Sequence, residues 1–559
     1  MRIPVYKPLM AILAAGVLSA CSSSAPAIVS TPIENIDAIP LKVADLSDAQ
    51  LKSWANSDLS TDTIPGMSVD KAYAEIIKNN KPSTVIVGVV DSGVDIDHED
   101  LKSVIWTNED EIPNNGKDDD KNGFIDDVHG WNFLGKTVEE NMEYVRIYRM
   151  LKPKYDGKSE SSISTADRAE YNQYLAAKAE YEKEMADSQS TLQQYNQIKQ
   201  QLTAAHQAVS KELGTEDYTK EQLSDYKPEN QQMQQYKAML TQIQNNVDEN
   251  IPSAIEQLDE AIEYYQGRLD THFNLDLKGR KTGDDPYDIT DTNYGDNQVS
   301  GPDPKKEDVK HGTHVAGIIA ADRTNNIGIK GVANNAKILV VRAVPDGDEY
   351  DKDIALGIRY AVDNGAKVIN TSFGKYFSTN PDWVRDAIKY AADHDVLIVN
   401  AAGNESENLD NKMVYPNDQT PENSTEIADN FLTVGALNYD YGSGLVATFS
   451  NYGSKNVDVF APGVKIWSTV PNNEYEFLQG TSMAAPEVSG IAAIIRGYYP
   501  KLSAAQVKQI IMDSGLPTTA TVIVGGDSSK TGKFNTLSTS GKMANLYNAL
   551  ILASQVANK

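Results

Sequence analysis

The chain has 559 residues, of which 40% are apolar, and a formal net charge of −28 at pH 7. The length exceeds the usual size of one domain, so we expect two or more structural units and a sizeable core. The acidic balance, which no basic cluster relieves, excludes nucleic acid as a partner and suits a soluble surface that binds Ca²⁺.

The N-terminus has the pattern of an export signal. Arg2 and Lys7 precede the apolar segment 9–20, which is too short to span a bilayer. The residues up to Cys21 then resemble the processing box of bacterial lipoproteins, in which the cysteine is acylated and becomes the new N-terminus. We predict a lipoprotein signal peptide at 1–20, lipidation of Cys21 and a location in the bacterial cell envelope, on the periplasmic or outer-surface side of a membrane. The alternative is an ordinary export signal beside a stray cysteine.

Cys21 is the one cysteine of the sequence, so an intrachain disulfide is excluded. Residues 22–30 carry no charge and are rich in Ser, Ala and Pro, which is typical of a flexible tether. We assign residues 21–40 to this tether. No second hydrophobic stretch of the sequence reaches membrane length, so the lipid would be the anchor.

The first strand of the main body ends in an acid. The apolar run 85–90 is typical of a parallel strand that is covered on both faces. Asp91 follows at its C-terminal end, where open α/β sheets place their functional sites. Asp95 and Asp97 are alternative acids close by, but only Asp91 directly ends the strand.

The stretch 118–127 has the spacing of an EF-hand-type calcium loop, with oxygen ligands at alternate positions and a glycine at the sixth. Position twelve is His129 instead of glutamate, and flanking helices are not evident. We predict a structural Ca²⁺ here. The predicted ligands are Asp118, Asp120, Asn122, the carbonyl of Phe124, and Asp126 or Asp127. A solvated acidic turn without metal is the alternative.

Residues 138–271 differ in composition from the rest of the chain, being rich in Gln, Glu, Lys, Tyr and Ala and poor in glycine. Apolar or small residues recur by threes and fours, which is the seam of a coiled coil. The three series run over 174–209, 233–247 and 255–269. Gly214 and Pro228 mark a turn between two arms. We predict an inserted antiparallel helical hairpin near the rim of the site. It either packs on the main domain or serves as a partner-binding or substrate-gating arm.

A polar loop at 272–310 leads to the motif from His311 to Gly317, in which small residues open a helix. From there, helices and strands alternate regularly, which predicts a doubly wound parallel α/β sheet. The predicted strands are 338–341, 368–370 and 396–399, and the predicted helices are 354–364 and 382–394.

The stretch 480–486 has the features that make one serine reactive. Its small residues let the backbone approach a substrate, and a helical pattern follows, with Pro486 in the first turn. Ser482 therefore lies at a helix N-terminus, where free N–H groups and the helix dipole favour an oxyanion. A serine hydroxyl needs a base and a group that orients the base, and His311 and Asp91 can supply both. Taken alone, Ser482 would be an ordinary N-cap serine.

These three motifs, in the order Asp, His, Ser, resemble those of the subtilisin-like serine proteases (peptidase family S8). The resemblance implies that Ser482 is the nucleophile, His311 the base and Asp91 the acid that orients the base. It also implies a catalytic domain of subtilisin-like fold in two parts, 41–137 and 272–559.

Two further segments carry the resemblance. Asn404 follows a predicted strand and matches the oxyanion-hole segment of the family, although by itself it is a turn asparagine. Ser372, Phe373 and Gly374 match the segment that lines the substrate cleft, where an extended peptide pairs by strand addition. Glu487 stands where relatives often have histidine, and we expect it to alter local charge without abolishing the chemistry.

The second histidine of the motif and the length of the N-terminal region each lead to one further prediction. His314 lies one helical turn after His311, and we assign it to packing. Too little sequence separates Cys21 from Asp91 to hold both an inhibitory prodomain and the usual N-terminal helices, so we predict no activation by prodomain removal.

The sequence therefore predicts a secreted, lipid-anchored subtilisin-like serine endopeptidase that hydrolyses peptide bonds in protein or peptide substrates. The alternatives are an inactive scaffold that only binds peptides, and a protease whose helical arm dedicates it to the maturation of one partner.

Overall fold

The computed structural model describes residues 28, 30–39, 45–78, 80, 82–246, 250–420 and 425–559. Cys21 and the predicted signal peptide lie outside these residues. Within the described residues, no helix is both long and apolar enough to cross a membrane. The described chain forms an α/β body and a helical arm, which leaves the body between two strands of its sheet.

The strands of the body are β1 (Val85–Asp91), β2 (Gly130–Asn132), β3 (Ala336–Arg342), β4 (Val368–Thr371), β5 (Leu397–Ala401), β6 (Phe431–Leu437), β7 (Val459–Pro462), β8 (Ile466–Val470), β9 (Glu474–Leu478), β10 (Leu516–Pro517), β11 (Thr521–Val524), β12 (Asp527–Lys533) and β13 (Lys542–Met543). In the described part of the chain, nine of them form one sheet in the order β10-β13-β7-β6-β5-β4-β1-β3-β2. Every pairing in this sheet is parallel except that of β10 with β13. β3 and β4 flank β1, so the winding reverses at β1, and this is where such sheets form their sites.

The helices are α1 (Asp48–Leu51), α2 (Leu59–Asp62), α3 (Val69–Ala72), α4 (Glu143–Tyr155), α5 (Arg168–Leu213), α6 (Lys220–Asp225), α7 (Gln231–Asn246), α8 (Ile251–Gly267), α9 (Lys310–Ala320), α10 (Asp351–Asp363), α11 (Pro381–Asp393), α12 (Thr481–Tyr498), α13 (Ala504–Ser514) and α14 (Leu546–Ala557). α9 and α12 pack on one face of the sheet, and α10 and α11 pack on the other.

The central strands contribute side chains to both cores, because side chains alternate across a sheet. Val89 and Val340 belong to the core beneath α9 and α12, whereas Val90 and Val341 belong to the core beneath α10 and α11. The doubly wound parallel sheet predicted from the sequence is therefore confirmed. The predicted strands and helices after His311 are also present, with ends that differ by a few residues.

The arm between β2 and β3 is the predicted antiparallel hairpin. α5, which is 46 residues long, runs outward, and α7 and α8 return along it. Two side-chain contacts join α5 to α8: the rings of Tyr195 and Tyr265 pack together, and Lys199 pairs with Asp259. The returning arm consists of two helices instead of one, and Pro252 lies in the first turn of the second, where a proline is tolerated.

The apolar seam of the arm is divided into two clusters. One lies at the base, between α4 and α5, and the other lies near the tip, between α5, α7 and α8. Between them, Ile198 is 43% exposed although the sequence places it in the seam. Glutamines of α5 line a groove at this level, together with Leu192 and Leu269. Polar glutamine side chains gain little from burial, so the middle of the seam stays open.

The N-terminal residues correct one prediction. Ile33 and Ile36 are buried in the main core. The Asn548 side chain in α14 bonds both the N–H and the carbonyl of Ile33, at 2.8 and 3.0 Å. Asp37 accepts hydrogen bonds from the hydroxyls of Thr518 and Thr519. The predicted flexible tether of residues 21–40 is therefore wrong over residues 33–37, because apolar burial and paired polar groups fix them to the body.

Candidate active site

Asp91 and His311 form a hydrogen-bonded pair at the C-terminal edge of the sheet. Asp91 ends β1, His311 lies in the first turn of α9, and His311 Nδ1 is 2.7 Å from Asp91 Oδ1. The main-chain N–H of Ser92 donates to the same oxygen at 2.8 Å. The Asp91 side chain is 1% exposed and the imidazole is 39% exposed. The acid therefore lies beneath the ring, and the ring stays accessible from the cleft.

The charge of Asp91 changes the acidity of the imidazole. Burial lowers the pKa of His311, but the carboxylate and its hydrogen bond outweigh burial and raise the pKa above its ordinary value. This pair needs glycine at position 312, because a Cβ there would lie 2.1 Å from the carbonyl oxygen of Gly93. Gly312 thus allows α9 to begin close enough to β1 for the pair to form.

The alternative acids have other partners. Asp95 pairs with Lys306 and accepts the N–H of Asn472 at 3.0 Å. The Asp97 side chain is 85% exposed and lies 3.4 Å from the same lysine. Of the three acids, Asp91 is the one that contacts His311.

Ser482 is the second residue of α12, as the sequence predicts. α12 packs against both α9 and β1, so the serine and the histidine lie at neighbouring element ends. The Ser482 hydroxyl donates to the carbonyl of Ser372 at 3.1 Å, and the Ser372 hydroxyl donates to the carbonyl of Ser482 at 2.8 Å. The Ser482 hydroxyl is thus bonded to Ser372 and not to His311, and this bond must break before the hydroxyl can pass its proton to the imidazole.

Asn404 lies beside the start of α12. Its Oδ1 accepts the N–H and the hydroxyl of Thr481, at 2.8 and 3.0 Å. The amide oxygen is thereby engaged, and the NH₂ group remains to donate to another acceptor. Gly480 has φ of +152°, and a Cβ there would lie 3.4 Å from Asn404 Nδ2. Thr481, which the sequence analysis did not single out, therefore orients the asparagine.

The residues Ser372–Gly374, hereafter the cleft segment, follow β4 and are linked to α12. Asn370 Nδ2 donates to Ser372 Oγ at 2.9 Å, and Ser489 Oγ donates to Asn370 Oδ1 at 2.9 Å. Asn370 and Ser489 were not predicted, and their positions inside a strand and a helix gave no signal. They hold the cleft segment and the nucleophile helix in one hydrogen-bonded unit.

Comparison with known proteins identifies the family. The model of the subtilase family, Peptidase_S8, matches residues 83–541. The chain belongs to the subtilase family. The resemblance inferred from the three motifs is therefore confirmed.

Individual relatives match part of this subtilase. The thermophilic serine proteinase of Bacillus sp. (strain AK1) is 40% identical over 227 residues, which is 40% of this chain and 49% of that protein. Subtilisin DY of Bacillus licheniformis is 37% identical over 237 residues, 42% of this chain and 78% of that protein. A solved protease structure from Pseudoalteromonas arctica is 29% identical, with a TM-score of 0.36, and the match covers 44% of this chain and 70% of that one. The chain spans about half or less of the length of several curated relatives that it matches.

The acidic loop of this subtilase brings three carboxylates together. Oxygens of Glu111, Asp120 and Asp127 lie within 4.8 Å of one another. Glu111 Oε1 accepts the N–H of Asp119 at 2.8 Å, whereas Glu111 Oε2 is buried without a hydrogen-bond partner. A buried carboxylate oxygen without a donor is unfavourable unless a cation neutralises it. Oxygen ligands are those that Ca²⁺ prefers, so this donor set fits the ion.

The predicted ligands are only partly gathered in this group. Asp120 and Asp127 belong to it, and the Asn122 amide donates to both at 3.0 Å. Asp126 lies outside it, because its two oxygens accept the N–H groups of Asn115 and Gly116 at 3.0 and 2.9 Å. Asp118 accepts N–H groups of its own loop. The ring of Phe124 packs against Trp131 and Tyr360, and its carbonyl as a ligand stays a prediction.

Two buried ionisable residues lie near the site, and burial disfavours the charged form of each. His314 Nε2 lies 3.1 Å from the carbonyls of Ile466 and Glu476, and burial lowers its pKa to about 3. This geometry agrees with a packing role. Glu487 is 3% exposed, and burial raises its pKa to about 8. Burial thus disfavours the charged form of Glu487, which gives no support to the expected change of local charge.

Proposed function

We propose that this subtilase is a serine endopeptidase that cleaves peptide bonds through an acyl-enzyme on Ser482. The supporting observation is the 2.7 Å contact of Asp91 with His311 next to the helix whose second residue is Ser482. His311 takes the proton of Ser482 as Oγ attacks the substrate carbonyl, and returns it to the leaving amine. Asp91 holds the tautomer and stabilises the imidazolium without being protonated.

The tetrahedral intermediate needs donors where its oxyanion forms. We assign this role to the NH₂ group of Asn404 and the main-chain N–H of Ser482, because Thr481 already occupies the amide oxygen of Asn404. The backbone of the cleft segment pairs with an extended substrate by strand addition. Such pairing reads little side-chain information, so the proposed substrates are exposed or unfolded protein segments.

A fluorophosphonate probe tests this assignment. We expect one equivalent of label per chain, mapped to Ser482 by peptide analysis, and no label on the Ser482→Ala variant. An inactive peptide-binding scaffold takes up no label at all. A dedicated maturation protease takes up label but cleaves one protein only, whereas a broad protease also digests a peptide library and unfolded casein. Absence of label on the folded wild type would overturn the proposal.

We also propose a structural Ca²⁺ held by Glu111, Asp120 and Asp127. The support is the buried Oε2 atom of Glu111, which has no donor, and the two carboxylates beside it. The ion would offset the mutual repulsion of these carboxylates and fix the loop that leads into β2. It takes no part in the proton transfers.

Calcium should therefore stabilise the fold. At free Ca²⁺ a hundredfold above its Kd, the free energy of unfolding rises by about 2.7 kcal/mol. We expect the melting temperature to rise with Ca²⁺ and fall with a chelator. Glu111→Gln should lose most of this response, whereas Glu109→Gln, a change at an exposed position of the same loop, should keep it. An equal response of both variants in a thermal melt would refute the site.

We further propose that the protein is exported and anchored to a membrane through lipid on Cys21. The support is the sequence alone, namely the charged start, the short apolar segment and the cysteine that ends it. The anchored protein should partition with membranes in cell fractionation, and Cys21→Ser should move it to the soluble fraction. Membrane association that survives this change would contradict the lipid anchor.

A further inference from the structure

The helical arm is fastened to the body by buried charges. α4, the first helix of the arm, contributes Glu143 and Arg146, each of which is 1% exposed. The Arg146 guanidinium pairs with Glu143 and donates to the carbonyls of Asp348 and Glu349, at 2.7 and 2.9 Å. The N–H of Glu143 donates to Asp348 Oδ2 at 2.7 Å. The start of α4 is therefore tied to the loop that precedes α10.

The same cluster reaches the substrate cleft through Lys375, which directly follows the cleft segment. Lys375 is 4% exposed, and its ammonium donates to the carbonyl of Glu349 at 2.7 Å. The ammonium also lies 3.0 Å from Asp351 Oδ1 and 3.8 Å from Glu143 Oε2. The Lys375 backbone pairs with Tyr415 in both directions, with N–H to oxygen distances of 2.9 and 2.8 Å. One lysine thus joins the cleft wall to the arm.

The rest of the loop after Lys375 is held by two of the same acids. The hydroxyl of Thr379 donates to Glu143 Oε1. Asp351 Oδ2 accepts from the hydroxyl of Ser378 at 2.9 Å and from the N–H of Asn380 at 2.7 Å. Glu143 and Asp351 therefore hold residues 375–380 between the arm and α10.

The acids of this cluster differ in how their surroundings shift their pKa values. Burial would raise the pKa of Glu143, but the positive charges of Arg146 and Lys375 outweigh it and lower the pKa to about 2. Burial raises the pKa of Asp348, and that of Glu349 to about 7. Glu143 is thus a permanent anion between two buried cations. Removing one member of such a pair leaves a buried charge uncompensated, which is strongly unfavourable.

α4 belongs structurally to the arm. The Tyr148 ring lies 5.9 Å from that of Tyr174 and 5.1 Å from that of Tyr181, both on α5. These contacts are part of the apolar cluster at the arm base, on which Phe377 of the loop after the cleft segment also packs. The base of the arm and the wall of the cleft therefore share one packed unit.

We propose that Glu143, Arg146 and Lys375 are positioning residues, through which the arm holds the cleft segment in the conformation that binds an extended peptide. This inference rests on the proposed peptidase function and assigns a role to the base of the insertion. The three residues act through the backbone of the cleft segment, and none of them touches the reacting atoms.

Glu143→Gln tests the role, because it removes the charge and keeps the shape. Two reactions are compared: hydrolysis of an extended chromogenic peptide, and labelling by a small fluorophosphonate, which reacts at Ser482 without pairing its backbone with the cleft segment. We expect kcat/KM for the extended peptide to fall about tenfold, mainly through KM, and the labelling rate to change less than about twofold. The control is Glu182→Gln, which removes an exposed carboxylate that pairs with Lys178 one turn away on α5 and should change neither.

A milder variant keeps the test decisive if Glu143→Gln does not fold. Thr379→Val removes one donor to Glu143 and should raise KM for the extended peptide in the same direction, by a smaller factor. The inference is overturned if folded variants bind the extended peptide as wild type does, or if both reactions slow by the same factor. Failure of the wild type to take up label would instead count against the peptidase function.

Discussion

Replacing Ser482 with alanine should abolish peptide hydrolysis while leaving the fold intact. The change removes one oxygen, which bonds the carbonyl of Ser372 at 3.1 Å, and keeps the reverse bond from the Ser372 hydroxyl to the Ser482 backbone. Without the nucleophile, no acyl-enzyme forms, and we expect kcat to fall on the order of a millionfold, the loss known when a subtilisin loses its serine. KM should change little, because the cleft segment and Asn404 remain in place.

The measurement is kcat and KM on an extended peptide, with circular dichroism to confirm the fold. Ser489→Ala is a matched comparison, since Ser489 lies on the same helix, is buried, and reaches the cleft segment only through Asn370. It should lose far less activity than Ser482→Ala. A Ser482→Ala enzyme that keeps more than about one hundredth of the wild-type rate would mean that another group performs the attack.

The positions of the three candidate triad residues could be predicted from the sequence because each lies at a recognisable element end. Asp91 directly ends an apolar strand. The glycines near His311 and Ser482 indicate the starts of helices, where the backbone must approach a neighbouring segment closely. Parallel topology then brings these ends to one edge of the sheet. The choice of Asp91 over Asp95 and Asp97 followed from strand position, and the contact with His311 agrees with it.

The members of the carboxylate group in the acidic loop were predicted less well, because a loop motif records spacing and not direction. Glu111 lies before the loop and carries no motif signal, yet it supplies the buried oxygen without a donor. Asp126 fits the spacing, but the N–H groups of Asn115 and Gly116 turn its carboxylate away from the cluster. Which oxygen faces an ion depends on contacts that form only when the loop closes.

Contacts between distant segments were the least predictable. Ile33 and Ile36 lie next to a low-complexity stretch that is typical of a tether, and their burial depends on α14, the last helix of the chain. Glu143 and Lys375 belong to the insertion and to the cleft wall, and composition alone gives no reason to pair them. Such pairs depend on tertiary packing, which periodicity along the chain does not encode.

Asp91→Asn should combine a large loss of activity with a shift of the pH profile. The carboxylate holds His311 in the tautomer that accepts a proton at its other nitrogen, and an amide in its place can bond Nδ1 in the wrong sense. We expect kcat at neutral pH to fall on the order of 10⁴-fold. The Ser92 N–H donates to the same Oδ1 atom, so an amide that turns its NH₂ group toward Nδ1 also loses the Ser92 bond, and circular dichroism checks that the fold is kept.

The direction of the pH shift follows from the pKa of His311. The imidazole must be neutral to act as base, so activity rises with pH through this pKa. Asp91 raises the pKa of His311, and removing its charge lowers it, so the acidic limb of kcat/KM should move to lower pH in the variant. Asp97→Asn, a change at an 85% exposed side chain, should leave both rate and limb in place. A limb that stays or moves to higher pH in Asp91→Asn would show that another acid sets the protonation of His311.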